Sequence, residues 1–365
     1  MRLTLVIYSL TYGGAERVMS IMANYWAAKG WEITLLTFDD NKMPQFHLDS
    51  SVSHIPLGIA KNSPDVITAI WNNFKRIRTL RFAIADSKPD VVISFMTKTN
   101  VITLLATRYL KIPIVVSERN NPERYSIGII WKQLCQWTYP FADLIVFQTK
   151  NARNYFSPKL QACTCIIPNP VLLPPRGKEA SYKFLGERSL IAMGRLAPEK
   201  GFDLLLQAFA KLKDRYSEWT LTIFGEGLLR PTLEDLCNQL GLIGRVHLPG
   251  AVNDPYKFLK QGDIFVMSSR HEGFPNALCE AMACGLPVIS TDCPSGPREI
   301  IRHGIDGILV PNEDVSALAA ALERLMSDEA ERKFLAARAP EVTERFSLEK
   351  IMNMWEQSFS EILNE

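Results

Sequence analysis

Apolar positions along the chain cluster in short unbroken runs rather than alternating with polar ones. In the first half the runs are Leu3–Ser9, Glu32–Thr37, Val91–Phe95, Ile112–Ser117 and Leu144–Thr149. In the second half they are Ser189–Met193, Trp219–Phe224, Arg245–Leu248, Ile264–Met267, Pro287–Thr291 and Gly307–Val310. Unbroken β-branched runs of this length predict strands covered on both faces, as in parallel sheets. Between them the apolar spacing changes to three and four, which predicts helices over Ala15–Lys29, Phe202–Lys213, Pro231–Leu240, Pro275–Cys284, Val315–Met326 and Leu348–Leu363. The stretch P-N-P-V-L-L-P-P-R-G-K-E at 168–179 interrupts the alternation with four prolines, residues that continue neither a helix nor a central strand. The pattern predicts an α/β protein of two doubly wound Rossmann-like domains. They span residues 1–170 and 188–345, joined by a linker at 171–187. Ligands of such sheets bind beyond the C-terminal strand ends, so two domains facing across a cleft would place a site there.

Composition adds little and removes several classes. The 365 residues are 47% apolar and 22% charged, with a net charge of +2, so no nucleic-acid partner is expected. The charge is unevenly spread. Residues 1–168 hold 19 Lys and Arg against 11 Asp and Glu, whereas 169–365 hold 22 against 28. An anionic partner for the first half and a chance bias of solvated faces both fit. The seven cysteines are scattered, and Cys163 and Cys165 lack the second pair of a zinc site, which points to a reducing compartment. The N-terminal apolar run is short, lacks a cleavage site and continues into T-Y-G-G-A-E-R, so it reads as a first strand. No run approaches the ~18–20 apolar residues of a membrane span.

Four strand ends carry chemistry. In S-S-R-H-E-G-F-P-N-A-L-C-E-A-M-A-C-G, from Ser268, the loop ahead of a helix holds Glu272, and Glu280 lies about two turns inside it. Pro275 suits the first helical position, and free N–H groups around Gly273, Phe274 and Asn276 can hold anionic or hydroxyl oxygens. G-R-L-A-P-E-K-G, residues 194–201, offers Arg195 and Lys200, two cations able to neutralise a diphosphate without a metal ion. Gly13 and Gly14 open the first helix, where the backbone can approach a phosphate or sugar closely. The spacing is neither G-x-G-x-x-G nor a P-loop. In F-G-E-G, residues 224–227, Glu226 reads equally as a turn residue or a ligand contact.

Taken together and in this order, the pieces resemble glycosyltransferase family 4, retaining enzymes of the GT-B fold. Glu272 and Glu280, separated by seven residues, resemble its paired-glutamate motif. The resemblance implies that Arg195 and Lys200 bind the donor diphosphate, that Glu280 binds the ribose, and that Glu272 binds the transferred hexose. It further implies that Gly273, Phe274, Pro275 and Asn276 assist through the backbone, that Gly13 and Gly14 cover the diphosphate, and that the base lies near Val246–Ala251. The last helix, 346–365, would return to the first, acceptor-binding domain. The segment D-C-P-S-G-P-R-E-I at 292–300 resembles the subgroup that builds bacterial surface polysaccharides and lipid-linked oligosaccharides. That implies a UDP-hexose or UDP-N-acetylhexosamine donor and a polyprenyl-diphosphate-linked glycan acceptor. No Asp-x-Asp motif occurs, so no metal or other cofactor is expected. A same-fold sugar-nucleotide epimerase and a non-catalytic nucleotide-sugar-binding protein are the rival readings.

One position departs from the family. Where members carry S-E-H-N, this chain has Ser117, Glu118, Arg119 and Asn120. An arginine there does not serve as a neutral base; it donates hydrogen bonds or pairs with an anion, such as a phosphate of the donor or acceptor. Glu16, Glu118 and Arg119 are the candidates for the acceptor side. Residues 67–85 form a basic amphipathic pattern in which Ile67, Ile70, Trp71, Phe74 and Ile77 recur at helical spacing beside Lys75, Arg76, Arg78 and Arg81. Contact with an anionic membrane or the acceptor diphosphate, and a core-facing helix with a solvated basic side, both fit. The expected location is cytoplasmic, either soluble or peripheral on the inner face of the plasma membrane. The aromatic-rich stretch Tyr125–Phe141, with Trp131, Trp137 and Tyr139, reads more readily as a buried segment than as a second membrane edge.

Overall fold

A computed structural model describes residues 1–11, 13–41, 43–60, 65–120, 128–161, 163–175 and 185–364. The chain divides into two compact units, Met1–Asn169 with Glu349–Glu365, and Pro170–Leu348. The first unit holds strands β1 (Arg2–Ile7), β2 (Glu32–Thr37), β3 (Ser53–Pro56), β4 (Val91–Phe95), β5 (Ile114–Glu118), β6 (Leu144–Phe147) and β7 (Thr164–Ile166). They form one parallel sheet in the order β3-β2-β1-β4-β5-β6-β7. The second unit holds β8 (Ser189–Met193), β9 (Thr220–Phe224), β10 (Val246–Gly250), β11 (Ile264–Met267), β12 (Val288–Thr291) and β13 (Ile308–Val310), parallel in the order β10-β9-β8-β11-β12-β13. Both sheets are doubly wound, and each reverses direction once, between β1 and β4 and between β8 and β11. The crevice for a ligand opens at the C-terminal ends of those two pairs.

The unbroken apolar runs do what their pattern dictates. Within β8, Leu190 and Ala192 face one core with Trp219 and Phe209, while Ile191 faces another with Phe265 and Leu278. In the first unit the helix Gly14–Ala28 buries Val18, Met22 and Trp26. The C-terminal helix Leu348–Asn364 completes this unit. Phe359 packs on Trp26 at 5.5 Å, Trp355 on Phe95 at 6.3 Å, and Lys29 pairs with Glu356 at 2.7 Å.

Two strands go beyond what the sequence predicted. β3 and β7 are edge strands of four and three residues with little apolar signal. The helix Val66–Ser87 starts on Asp65, whose carboxylate accepts from the Thr68 amide at 2.8 Å. Only the last position of its predicted apolar stripe, Ile77, reaches the core. Ile67, Ile70, Trp71 and Phe74 are exposed, and Leu80 and Ile84, with Ile77 partly covered, make the core contact. In the aromatic-rich stretch Tyr125 lies outside the described residues. The helix Ile129–Thr138 exposes Ile129, Ile130 and Trp137, whereas Tyr139 is fully buried.

Candidate active site

The loops after β8, β9 and β11 are joined backbone to backbone, and their glycines make this possible. Leu196 N donates to Glu226 O at 2.9 Å and Leu229 N to Leu196 O at 3.0 Å. A Cβ on Gly225 would stand 1.9 Å from Gly194 O, and one on Gly227 would stand 2.3 Å from Leu196 O. Gly201 adopts φ +60, and a Cβ there would lie 2.2 Å from Ser268 O. Ser268 Oγ donates to Lys200 O at 3.0 Å, and Arg270 N to Glu199 O at 2.8 Å. Side chains of G-R-L-A-P-E-K-G and of the Glu272 loop are thereby held at adjacent strand ends.

Lys200 and Glu272 meet there. Lys200 Nζ lies 2.6 Å from Glu272 Oε1, and Ser269 Oγ donates to the same oxygen at 2.6 Å. Glu272 is only 8% exposed. Thr291 Oγ1, at the end of β12, donates to Ser269 O at 2.5 Å and fixes the loop from behind. Gly296, at φ +98, gives further support, because a Cβ there would meet Pro275 Cδ at 2.6 Å. Burial pushes the neighbouring Cys293 thiol up to about 12, so it stays protonated. Arg195 pairs with Glu199 at 3.1 Å and is largely solvated.

Two local expectations are corrected. The helix begins at Asn276, with Pro275 as its cap at φ −78 and ψ 89, so Glu280 stands little more than one turn inside. A ψ near 90° lies outside the helical well, so the first turn starts one residue later. Pro275 carries no N–H, and its carbonyl accepts from Cys279 N at 3.3 Å, so it offers no donor. Glu280 is buried and Asn276 is partly buried. Phe274 is buried against Phe346, 5.6 Å between ring centres. Glu226 is an exposed carboxylate bound by Arg230 through Nε at 2.9 Å and Nη2 at 2.5 Å, which pulls its carboxyl below the usual range. Arg230 also holds Leu248 O at 2.9 Å, so the pair braces β9 to β10.

In the first unit Gly13 directly precedes the helix Gly14–Ala28, and a Cβ on it would stand 2.1 Å from Glu16 Oε2. Glu16 therefore folds back onto its own helix N-terminus, where a carboxylate is favoured. Glu118 turns inward and accepts from Tyr139 Oη and, at 2.8 Å, from Thr97 Oγ1. Burial raises its carboxyl above the ordinary range. Arg119 is 7% exposed, with Nη1 on Asn169 Oδ1 at 2.5 Å. Among the four basic residues of the long helix, Arg76 Nε donates to Ile59 O at 2.9 Å. Arg81 Nη1 caps the helix Thr97–Thr107 through Ala106 O at 3.0 Å and Arg108 O at 2.7 Å. Lys75 is exposed, and Arg78 lies over Phe82 at 5.6 Å.

Ser269, Thr291 and Arg230 were missing from the sequence reading, because a hydroxyl or guanidinium partner leaves no trace in spacing. The strand-end position of Ser269, one turn before Glu272, was the available signal.

Sequence models match nearly the whole chain. The one described as "Glycosyl transferases group 1" covers residues 177–342, and "Glycosyltransferase Family 4" covers 12–173. A Campylobacter jejuni relative named GalNAc-alpha-(1->4)-GalNAc-alpha-(1->3)-diNAcBac-PP-undecaprenol alpha-1,4-N-acetyl-D-galactosaminyltransferase is 29% identical, over 100% of this chain and 99% of its own. A second from the same organism, N-acetylgalactosamine-N,N'-diacetylbacillosaminyl-diphospho-undecaprenol 4-alpha-N-acetylgalactosaminyltransferase, is 29% identical over 96% and 97%. Among solved structures, Anabaena Alr3699/HepE in complex with UDP superposes with a TM-score of 0.77 at 19% identity, over 99% of this chain and 100% of that one.

Proposed function

Because the chain belongs to glycosyltransferase family 4 and has its GT-B fold, we propose that it transfers a hexose or N-acetylhexosamine, with retention, from a UDP-sugar to a polyprenyl-diphosphate-linked glycan. That it is a glycosyltransferase follows from its family; donor, acceptor and stereochemistry are the proposal. The Lys200–Glu272 pair at the β8/β11 switch point carries the reading. Both bonds to Glu272 fall on Oε1, which leaves Oε2 to accept a sugar hydroxyl. Lys200 and Arg195 neutralise the diphosphate as negative charge grows on the leaving group. Glu280, one turn into the helix, takes the ribose, and the N–H groups at the helix start take donor oxygens. In this reading protein cations hold the diphosphate without a metal, and turnover in EDTA is expected to match that in buffer. A donor phosphate oxygen takes the acceptor proton on the same face of the sugar.

The names of the Campylobacter relatives support a lipid-linked acceptor, and the UDP complex of HepE supports the nucleotide. Among the described residues no helix is long and apolar enough to cross a membrane. Access to a lipid-linked acceptor is proposed through the exposed face of Val66–Ser87, where Ile67, Trp71 and Phe74 stand beside Lys75 and Arg78, laid on an anionic membrane surface on the cytoplasmic side. Turnover with a panel of UDP-, GDP- and ADP-sugars and an undecaprenyl-diphosphate-linked acceptor, followed by NMR of the new anomeric centre, tests the proposal. An inverted product, or a donor other than a UDP-sugar, would refute it.

A further inference from the structure

Arg119 sits one residue past β5, at the ligand-bearing edge of the first unit, and its surroundings do not satisfy it. Nη1 donates to Asn169 Oδ1, an oxygen that also accepts from Gln148 Nε2 at 2.5 Å. Nε and Nη2 are buried and have no hydrogen-bond partner among the described residues. No carboxylate among those residues pairs with the guanidinium, since adjacent Glu118 is spent on Tyr139 and Thr97. The guanidinium is stacked, with Cζ 3.6 Å from the centre of the Phe95 ring and 5.9 Å from that of Trp355. Burial pushes it down to about 9.

A cation buried with donors unmatched is costly, and apolar replacements of similar size are commonly neutral or stabilising. Selection for stability alone does not account for it. Its pattern is also specific. Nε and Nη2 form one edge of the guanidinium, the edge whose N–H bonds run parallel and match two oxygens of a carboxylate or phosphate. Phe95 and Asn169 hold that edge fixed. Trp355 comes from the C-terminal helix, and the rest of the cluster gathers at C-terminal strand ends: Phe95 closes β4, Arg119 follows β5, Gln148 follows β6 and Asn169 lies beyond β7.

We infer that Arg119 anchors an anion subsite in the first unit, taking side-on two oxygens of a carboxylate or phosphate carried by a sugar substrate. The subsite is distinct in sequence and unit from Arg195 and Lys200. Two sources supply this chemistry, an acidic sugar or the phosphate groups of a lipid-linked glycan.

Calorimetric titration of the full chain with D-glucuronate and with inorganic pyrophosphate, without donor or acceptor, separates them. The comparison is wild type, Arg119→Met, Arg119→Lys and Arg195→Ala/Lys200→Ala. The expectation is that Arg119→Met weakens at least one anion by about tenfold or more, from loss of a charge-assisted bidentate contact, and that Arg119→Lys recovers only part. The anion affected identifies the source, and that binding persists in Arg195→Ala/Lys200→Ala. The ligand-free melting temperature of Arg119→Met stays level or rises. Unchanged binding of both anions, wild-type binding by Arg119→Lys, loss of the same binding in Arg195→Ala/Lys200→Ala, or a lower ligand-free melting temperature in Arg119→Met overturns the inference. None of these results bears on glycosyl transfer, which turnover measures separately.

Discussion

Two hydrogen-bond donors converge on a single oxygen of Glu272, and the other oxygen is what a substrate would use. Loss of the carboxylate removes both the lysine's partner and the proposed sugar contact. Glu272→Ala is expected to lower kcat/KM by roughly 10²-fold or more. Ser269→Ala removes only one bond of about 1 kcal/mol and should cost about fivefold. Turnover of the preferred UDP-sugar measures both, and an equal loss in the two variants would contradict the arrangement. Glu118 makes a different prediction. Its folded pKa is raised by burial. As pH rises through the ordinary carboxyl range, the unfolded chain releases this proton before the folded one does. Stability attached to Glu118 is therefore fully present below that range and is lost as pH climbs toward its folded value. Glu118→Gln removes the titration, so its melting temperature relative to wild type should be higher at pH 8 than at pH 5. Thermal melts at the two values check the sign. At this scale the sequence showed Arg195, Lys200 and Glu272, because they sit in a spaced motif. It did not show Ser269, Thr291 or Arg230, whose roles come from which loops the strands bring together.

Elements repeat the same contrast. Strands buried on both faces, such as β8 and β11, were legible to the residue because their positions are apolar throughout, apart from Ser189 at the start of β8. β3 and β7 were not, because an edge strand needs few apolar positions. Loop conformation was legible only as glycine content, and the structure explains three of those glycines by backbone contact. Gly225→Ala would force a Cβ onto Gly194 O at a φ of +152. It is expected to cost about 2–3 kcal/mol or more, seen in urea denaturation of the full chain, and to raise the donor KM. The long helix Val66–Ser87 held two open readings, and its exposed Ile67, Ile70, Trp71 and Phe74 decide against the core-facing one for that face. Trp71→Glu with Phe74→Glu should abolish flotation with anionic liposomes while leaving the melting temperature within a few degrees. Arg81→Glu should instead destabilise, since Arg81 caps a neighbouring helix. Retained flotation of the double variant would remove the membrane reading.

At the scale of the whole molecule, the feature that matters most is the return of Glu349–Glu365 to the first unit. Its repeating apolar positions were plain in the sequence, yet nothing in them says which unit they cover. The answer lies in the shape of a gap beside Trp26 and Phe95. Trp355 is fully buried there, and Trp355→Ala is expected to destabilise the first unit by about 3–5 kcal/mol. Two-probe denaturation would show this, with the second unit melting as before. The same return dictates an order of events during synthesis. The second unit, Pro170–Leu348, is contiguous and can close as soon as it leaves the ribosome. The first unit begins earlier and finishes later, because Phe359 must emerge before the space beside Trp26 is filled. At about 5–20 residues per second, the earlier segment waits roughly 10–40 s for its last helix. Throughout that interval a sheet with part of one apolar face uncovered is exposed to chaperones and to other nascent chains. The half of the protein that is made first is therefore the half most in need of protection.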